Sequence, residues 1–194
     1  MIYLRAIVKQ INDHLKNGAL ASERFQRKLF GGIAETVQEL SADEKAFKEY
    51  PVEFDNDGEG KDLTINSDYD LIIYHKHERI KPGEDVRGSY GATNKTKNIA
   101  YMSMYVFGRR DMLRLSSDEA ALIIQAGMPD TVHCEESQTG AATIKLTDII
   151  LNNKRVFNEE YKNVVYTLKP EHFLIRMDYT IENSFLKSCF NTCV

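Results

Sequence analysis

The chain has 194 residues, of which 42% are hydrophobic and 28% charged, with a formal net charge of −4. Those totals fit one globular domain over residues 1–194 with a real hydrophobic core, and they exclude an intrinsically disordered chain. The acidic balance also excludes a whole-chain field that would draw the protein to nucleic acid or to an anionic membrane.

In chain order, Ile2, Leu4, Ile7, Val8, Ile11 and Leu15 recur at helical spacing and Asn17-Gly18 follows as a stop. The spacing predicts an amphipathic helix over residues 2–16. Arg5 and Lys9 interrupt this stretch, so it does not form a signal-peptide core. No apolar run approaches the roughly 20 residues that span a bilayer. From 22 to 40 the pattern is ambiguous, because Gly31-Gly32 breaks it. Ser41 and Glu44 form a capping box ahead of Pro51, which predicts a short helix between them. An acidic, glycine-containing turn occupies 55–62, and an apolar strand is expected over 69–76.

A second strand is expected over 98–107 and a capped helix over 117–127, with Ser116 and Glu119 as its capping box and Pro129 beyond its end. Strands follow at about 142–151, 163–168 and 172–182. In the last, Phe173, Ile175 and Met177 face one side, and Leu174, Arg176, Asp178 and Thr180 the other. The order describes an α+β domain with a mainly antiparallel sheet and helices on it. Two connections, 81–98 and 128–141, read as loops longer than a compact domain needs. The three cysteines, Cys134, Cys189 and Cys193, are odd in number and lack C-x-x-C spacing, so reduced thiols are expected. A helical tail would nevertheless bring Cys189 and Cys193 near bridging distance.

The sharpest chemical candidate is the stretch NSDYDLIIYHKH. On a strand, Asp68 and Asp70 would share a face and converge on a divalent metal, as in a nucleotidyltransferase. That chemistry also wants a preceding Gly-Ser turn and a third carboxylate on the next strand, and both are missing. The bland reading is a solvated start to the strand. His75 and His77 would likewise share a face, but two imidazoles fall short of a zinc site, and a solvent-facing pair is expected. GSYGATNKT has neither the Gly-Lys nor the following helix of a phosphate-binding loop. No serine or cysteine has the surroundings of a nucleophile. No catalytic residue, cofactor or metal ligand is therefore assigned.

The segment TDIILNNKRVFNEEYKN, followed by KPEHFLIRMDYTIENSFLKSCFNTC, resembles the closing portion of small neck and tail-completion proteins of tailed bacteriophages. The element order along the rest of the chain resembles theirs too. The resemblance implies a non-enzymatic subunit of a ring in the head-tail connector or tail terminator. Its partners would be further copies of itself and other neck, portal or tail proteins, with no membrane and no sequence-specific nucleic acid. It would be a virion component assembled in the cytoplasm of a bacterial host. In such a ring two different patches repeat around an axis. The expected contact arm is 81–98, with Lys81, Arg87, Tyr90, Lys95 and Lys97 as interface residues and the acidic stretch at 55–60 as their counterpart. The rival classes are a metal-dependent enzyme using Asp68 and Asp70, and a monomeric binding module.

Overall fold

Leu4, Ile7, Val8, Ile11 and Leu15 are all fully buried, so the N-terminal stripe does what its spacing predicts. The structure, a computed structural model, describes residues 2–40, 47–55, 57–87, 94–134, 140–162 and 167–186. Its elements are α1 (Ile2–Asn17), β1 (Lys28–Leu40), β2 (Phe47–Phe54), β3 (Gly60–Asp62), β4 (Leu71–Arg87) and β5 (Asn94–Arg109). They continue with α2 (Arg110–Leu113), α3 (Ser117–Gly127), β6 (Thr131–Cys134), β7 (Gly140–Ile150), α4 (Asn153–Glu160) and β8 (His172–Leu186). The fold is α+β. The strands form one eight-stranded sheet in the order β3-β2-β1-β4-β5-β8-β7-β6. Every neighbouring pair is antiparallel except β1 and β4, which run parallel.

The central strands are buried on both faces because alternate residues serve two cores. Ile73, Met102, Met104, Val106, Ile175 and Met177 join the apolar stripes of α1 and α3. Ile72, Tyr74, Phe107 and Leu174 join Val156 and Phe157 of α4 on the opposite side. Burying each such aliphatic side chain contributes roughly 1.5–3 kcal/mol. Ser116 caps α3 with the full capping box to Glu119, as its sequence predicts.

The elements differ from the sequence reading at several places. Residues 47–50 lie in β2 and not in a helix, because pairing with β1 from Leu40↔Phe47 onward overrides the local capping signal; residues 41–46 are outside the described set. The ambiguous stretch is β1, in which Gly31-Gly32 forms a bulge. The register against β4 steps from Phe30↔Ile73 to Ile33↔His75, one residue longer on β1. A Cβ on Gly31 would lie 2.9 Å from Leu63, so the bulge needs glycine there. Much of 81–98 is strand, with Lys81↔Ile99 and Arg87↔Asn94 paired between β4 and β5. Some of 128–141 is strand as well, with β6 pairing β7 from Thr131↔Thr143 to Cys134↔Gly140. Of the expected strand at 163–168, residues 163–166 lie outside the described set and 167–168 are not strand. The helix α4 precedes it, where the sequence pattern predicts none.

Candidate functional site

The sheet divides at one end. β1 and β4 pair only as far as Ala34↔Lys76. Beyond that point β1 continues to Leu40 against β2, and β4 continues to Arg87 against β5. β8 stays with β5 as far as Leu186↔Lys95, so β5 is covered on both edges. Among the described residues, no strand lies beside β1 after Ala34 on its β4 side. None lies beside β4 after Lys76 on its β1 side. Because β1 and β4 run parallel, both open edges belong to the same end of the sheet. The ends of β6 and β8 and the start of β7 reach that end too.

This end also carries exposed apolar side chains. Leu40 and Phe47 are cross-strand partners where β1 ends and β2 begins, and they are 47% and 55% exposed; Ile80, on β4, is 39% exposed. Such a facing pair on a strand end is an apolar patch that no described residue covers. The far stretch of the β4 edge is protected against strand addition. Pro82 removes a donor, and register shifts at His77/Arg79 and Pro82/Asp85 kink the strand.

An open cleft of about 860 Å³ lies where the strands diverge, lined among others by Thr36, Lys76, Glu78, Tyr105, Glu160 and Arg176. Lys76 Nζ donates to Thr36 Oγ1 at 2.8 Å and lies 2.8 Å from Glu160 Oε1. Burial pushes the Glu160 carboxyl up and the Lys76 ammonium opposes that shift. Burial likewise raises the Tyr105 phenol. Arg176 holds Asp178 at 2.7 Å, and Ser103 Oγ donates to the same carboxylate at 2.7 Å. Ion pairs and hydrogen bonds thus engage Lys76, Thr36, Glu160, Arg176, Asp178 and Ser103, while the buried Nε2 of His77, also on the cleft wall, has no partner among the described residues. Among the described residues the cleft offers no nucleophile paired with a base.

On the other face His75 is fully buried, which corrects the expectation of a solvent-facing pair with His77. Asn12 Nδ2 donates to the bulged Gly31 carbonyl at 2.9 Å, leaving its Oδ1 2.9 Å from His75 Nε2. His75 Nε2–H therefore donates to Asn12, and Nδ1 accepts from the Tyr179 hydroxyl at 2.8 Å. Burial lowers the His75 pKa to about 3, so the ring is neutral.

Asp68 and Asp70 precede β4 and do not share a strand face. Asp68 sits in a turn, where its amide donates to Asn66 Oδ1 at 2.9 Å. Asp70 is 7% exposed, with Oδ1 at 3.7 Å from Arg27 and 3.6 Å from Arg109. Two guanidinium groups hold the ground that a cation would need beside it, and Asp70 is not the solvated strand start that the sequence implied. Among the described residues no group of three or more His, Cys, Asp or Glu side chains is placed to hold a metal.

Of the expected interface residues, Lys81 and Arg87 lie on β4 and Lys95 and Lys97 on β5, so one ladder brings them together. Lys97 pairs with Glu182 on β8 at 2.6 Å, so its charge is matched within its own chain. Tyr90 lies outside the described residues, as do Cys189 and Cys193. No helix among the described residues is long and apolar enough to cross a membrane. No protein-family model matches the chain, and no curated protein matches it either.

Proposed function

We propose that this chain is a non-enzymatic virion subunit that joins copies of itself into a ring, of the head-tail connector or tail-terminator kind found in the neck of tailed bacteriophages. One observation carries the reading: the sheet opens at one end into two strand edges with no partner among the described residues, beside the exposed pair Leu40 and Phe47. A solitary domain gains nothing from such edges and usually covers them. In a ring, a neighbouring copy covers them, and the surface that does so lies elsewhere on that copy, as a heterologous contact requires. Pro82 and the β4 bulges confine the contact to the base of the division and to the apolar tip. That restriction favours one register over indiscriminate strand pairing. The other neck, portal or tail proteins would stack on the faces of the ring.

The test is the mass of the full chain in solution across the micromolar range, by analytical ultracentrifugation and native mass spectrometry. We expect a closed oligomer of one size, and a folded monomer for Leu40→Glu/Phe47→Glu. A wild-type chain that stays monomeric throughout, or a double variant that assembles undiminished, would overturn the reading.

A further inference from the structure

The end of the molecule away from the divided strands holds a second cleft, of about 900 Å³, between α4, the residues just before β8, and α2. Arg110, Lys154, Lys162 and Lys169 line it, and among the described lining residues there is no carboxylate. That is unusual ground on a chain whose formal net charge is −4. Positive charge gathered in a concave site raises the local concentration of an anion far more than the same charge spread over a surface.

The four cations are also poorly matched by their own chain. Lys162 comes no closer than 3.9 Å to Glu49, and no ion pair among the described residues involves Arg110, Lys154 or Lys169. The Arg110 Nε is buried and has no hydrogen-bond partner among the described residues. A buried charged donor without a partner costs free energy until an acceptor reaches it. Arg110 is fixed in place by its own amide, which donates to the Glu171 carbonyl at 2.6 Å. Phe157 and Leu168 add an apolar floor between the cations.

We propose that this cleft binds the phosphate groups of a nucleotide or of a single nucleic-acid strand. A guanidinium fork flanked by ammonium groups matches phosphate oxygens, and an apolar floor suits a sugar or base beside them. The volume is that of a small-ligand site. Recognition here is of charge and shape, without base-edge readout. The assignment does not rest on the ring reading: of the four cations only Lys162 also borders the cleft at the division, and Arg110, Lys154 and Lys169 do not.

The full chain is titrated into a fluorescein-labelled oligothymidylate of about 12 nucleotides, followed by anisotropy. ATP is titrated into the chain by calorimetry in parallel. Lys154 and Lys169 are exposed, so Lys154→Glu/Lys169→Glu is expected to fold, which a thermal melt checks. Lys16→Glu/Lys145→Glu, also at exposed positions and outside the cleft, carries the same change of net charge.

We expect the cleft variant to weaken binding at least tenfold and the control variant to leave it within about twofold. If the strand engages all four cations, raising salt from about 50 to about 200 mM should weaken it about 50-fold. Binding of ATP alone identifies a free nucleotide as the ligand, and binding of the strand identifies a polynucleotide; either supports the proposal. Failure of both ligands to bind below the millimolar range would overturn it. So would equal losses in the two variants, or displacement by oligoglutamate as effective as by ATP.

Discussion

The buried imidazole of His75 makes folding stability depend on pH in a way that a single substitution can isolate. In the folded chain its pKa is lowered to about 3 from an ordinary value of 6.5, because burial penalises the charged ring. Above pH 6.5 both states hold a neutral ring and the group contributes no pH dependence. Below pH 6.5 the unfolded chain takes up a proton that the folded chain refuses, so stability falls with falling pH until the folded pKa is reached. The slope is about 1.4 kcal/mol per pH unit, which gives a loss of about 2 kcal/mol at pH 5 and about 4 kcal/mol by pH 3. The side chain is fully buried, so no solvent screening reduces this. The assay is urea unfolding at pH 7.5 and pH 5 for the wild type and for His75→Gln. Replacing His75 disturbs its bonds to Asn12 and Tyr179 and lowers stability at both pH values. The informative quantity is therefore the difference of differences, in which carboxylates and the other histidines cancel. The wild type should lose about 2 kcal/mol more than the variant between the two pH values. Equal losses, or an imidazole titrating near its ordinary value by NMR, would refute the reasoning. The same spectra should show the proton on Nε2, as the Asn12 amide dictates.

Gly108 of β5 lies under the Phe173 ring, and a Cβ there would collide with that ring. Gly108→Ala should cost about 1–3 kcal/mol through overpacking, read as a lower urea midpoint with an unchanged slope; an unchanged midpoint would show that the ring moves aside freely. Asp70→Ala should cost only about 1 kcal/mol, since its ion pairs are long and one partner, Arg27, is nearly half exposed. Magnesium or manganese titrated into the wild type should release no heat of site binding; micromolar affinity that disappears in Asp70→Ala would restore the enzyme reading.

Elements with a sustained period were legible from sequence. The stripe from Leu4 to Leu15 and the Ser116–Glu119 box specified α1 and α3, and the run from Leu71 to Tyr74 marked the core of β4. Glycine and proline do not act as punctuation in this sheet. Gly31-Gly32 and Pro82-Gly83 occur inside strands, at bulges, where the ladder absorbs an extra residue and resumes. The helix α4 carried a usable signal, Asn152 as N-cap with Val156, Phe157 and Glu160 turned inward, but at eight residues it is too short to declare a period. The burial of His75 is illegible in the sequence for a different reason. Its hydrogen-bond partners stand 63 and 104 residues away, and nothing local distinguishes a histidine that will be enclosed from one that meets solvent. Asp70 is the same case, with its arginines arriving from β5 and from the residue before β1.

Three of the polar groups enclosed by the fold, Asn12, His75 and Glu160, flank the point where the sheet divides. The last pair holding β1 to β4 is Ala34↔Lys76. Immediately before it, on the α1 face, the bulged Gly31 carbonyl is tied through Asn12 to His75 and so to Tyr179 on β8. Immediately after it, on the α4 face, Lys76 reaches Thr36 of the departing β1 while pairing with Glu160 of α4. Apolar packing alone would let two parallel strands separate a residue earlier or later at small cost, because methyl groups accept many neighbours. Directional bonds on both faces do not, since a shift of a single residue would leave an imidazole, an amide and an ammonium without partners at about 1–3 kcal/mol each or more. The division is therefore fixed in register from both sides. A surface meant to receive another chain benefits from edges whose position does not vary, because every loss of order on binding subtracts from affinity. The same arithmetic makes Lys76 the residue to watch: removing its charge frees Thr36 and Glu160 together and loosens both edges while leaving α1, α3 and their core intact.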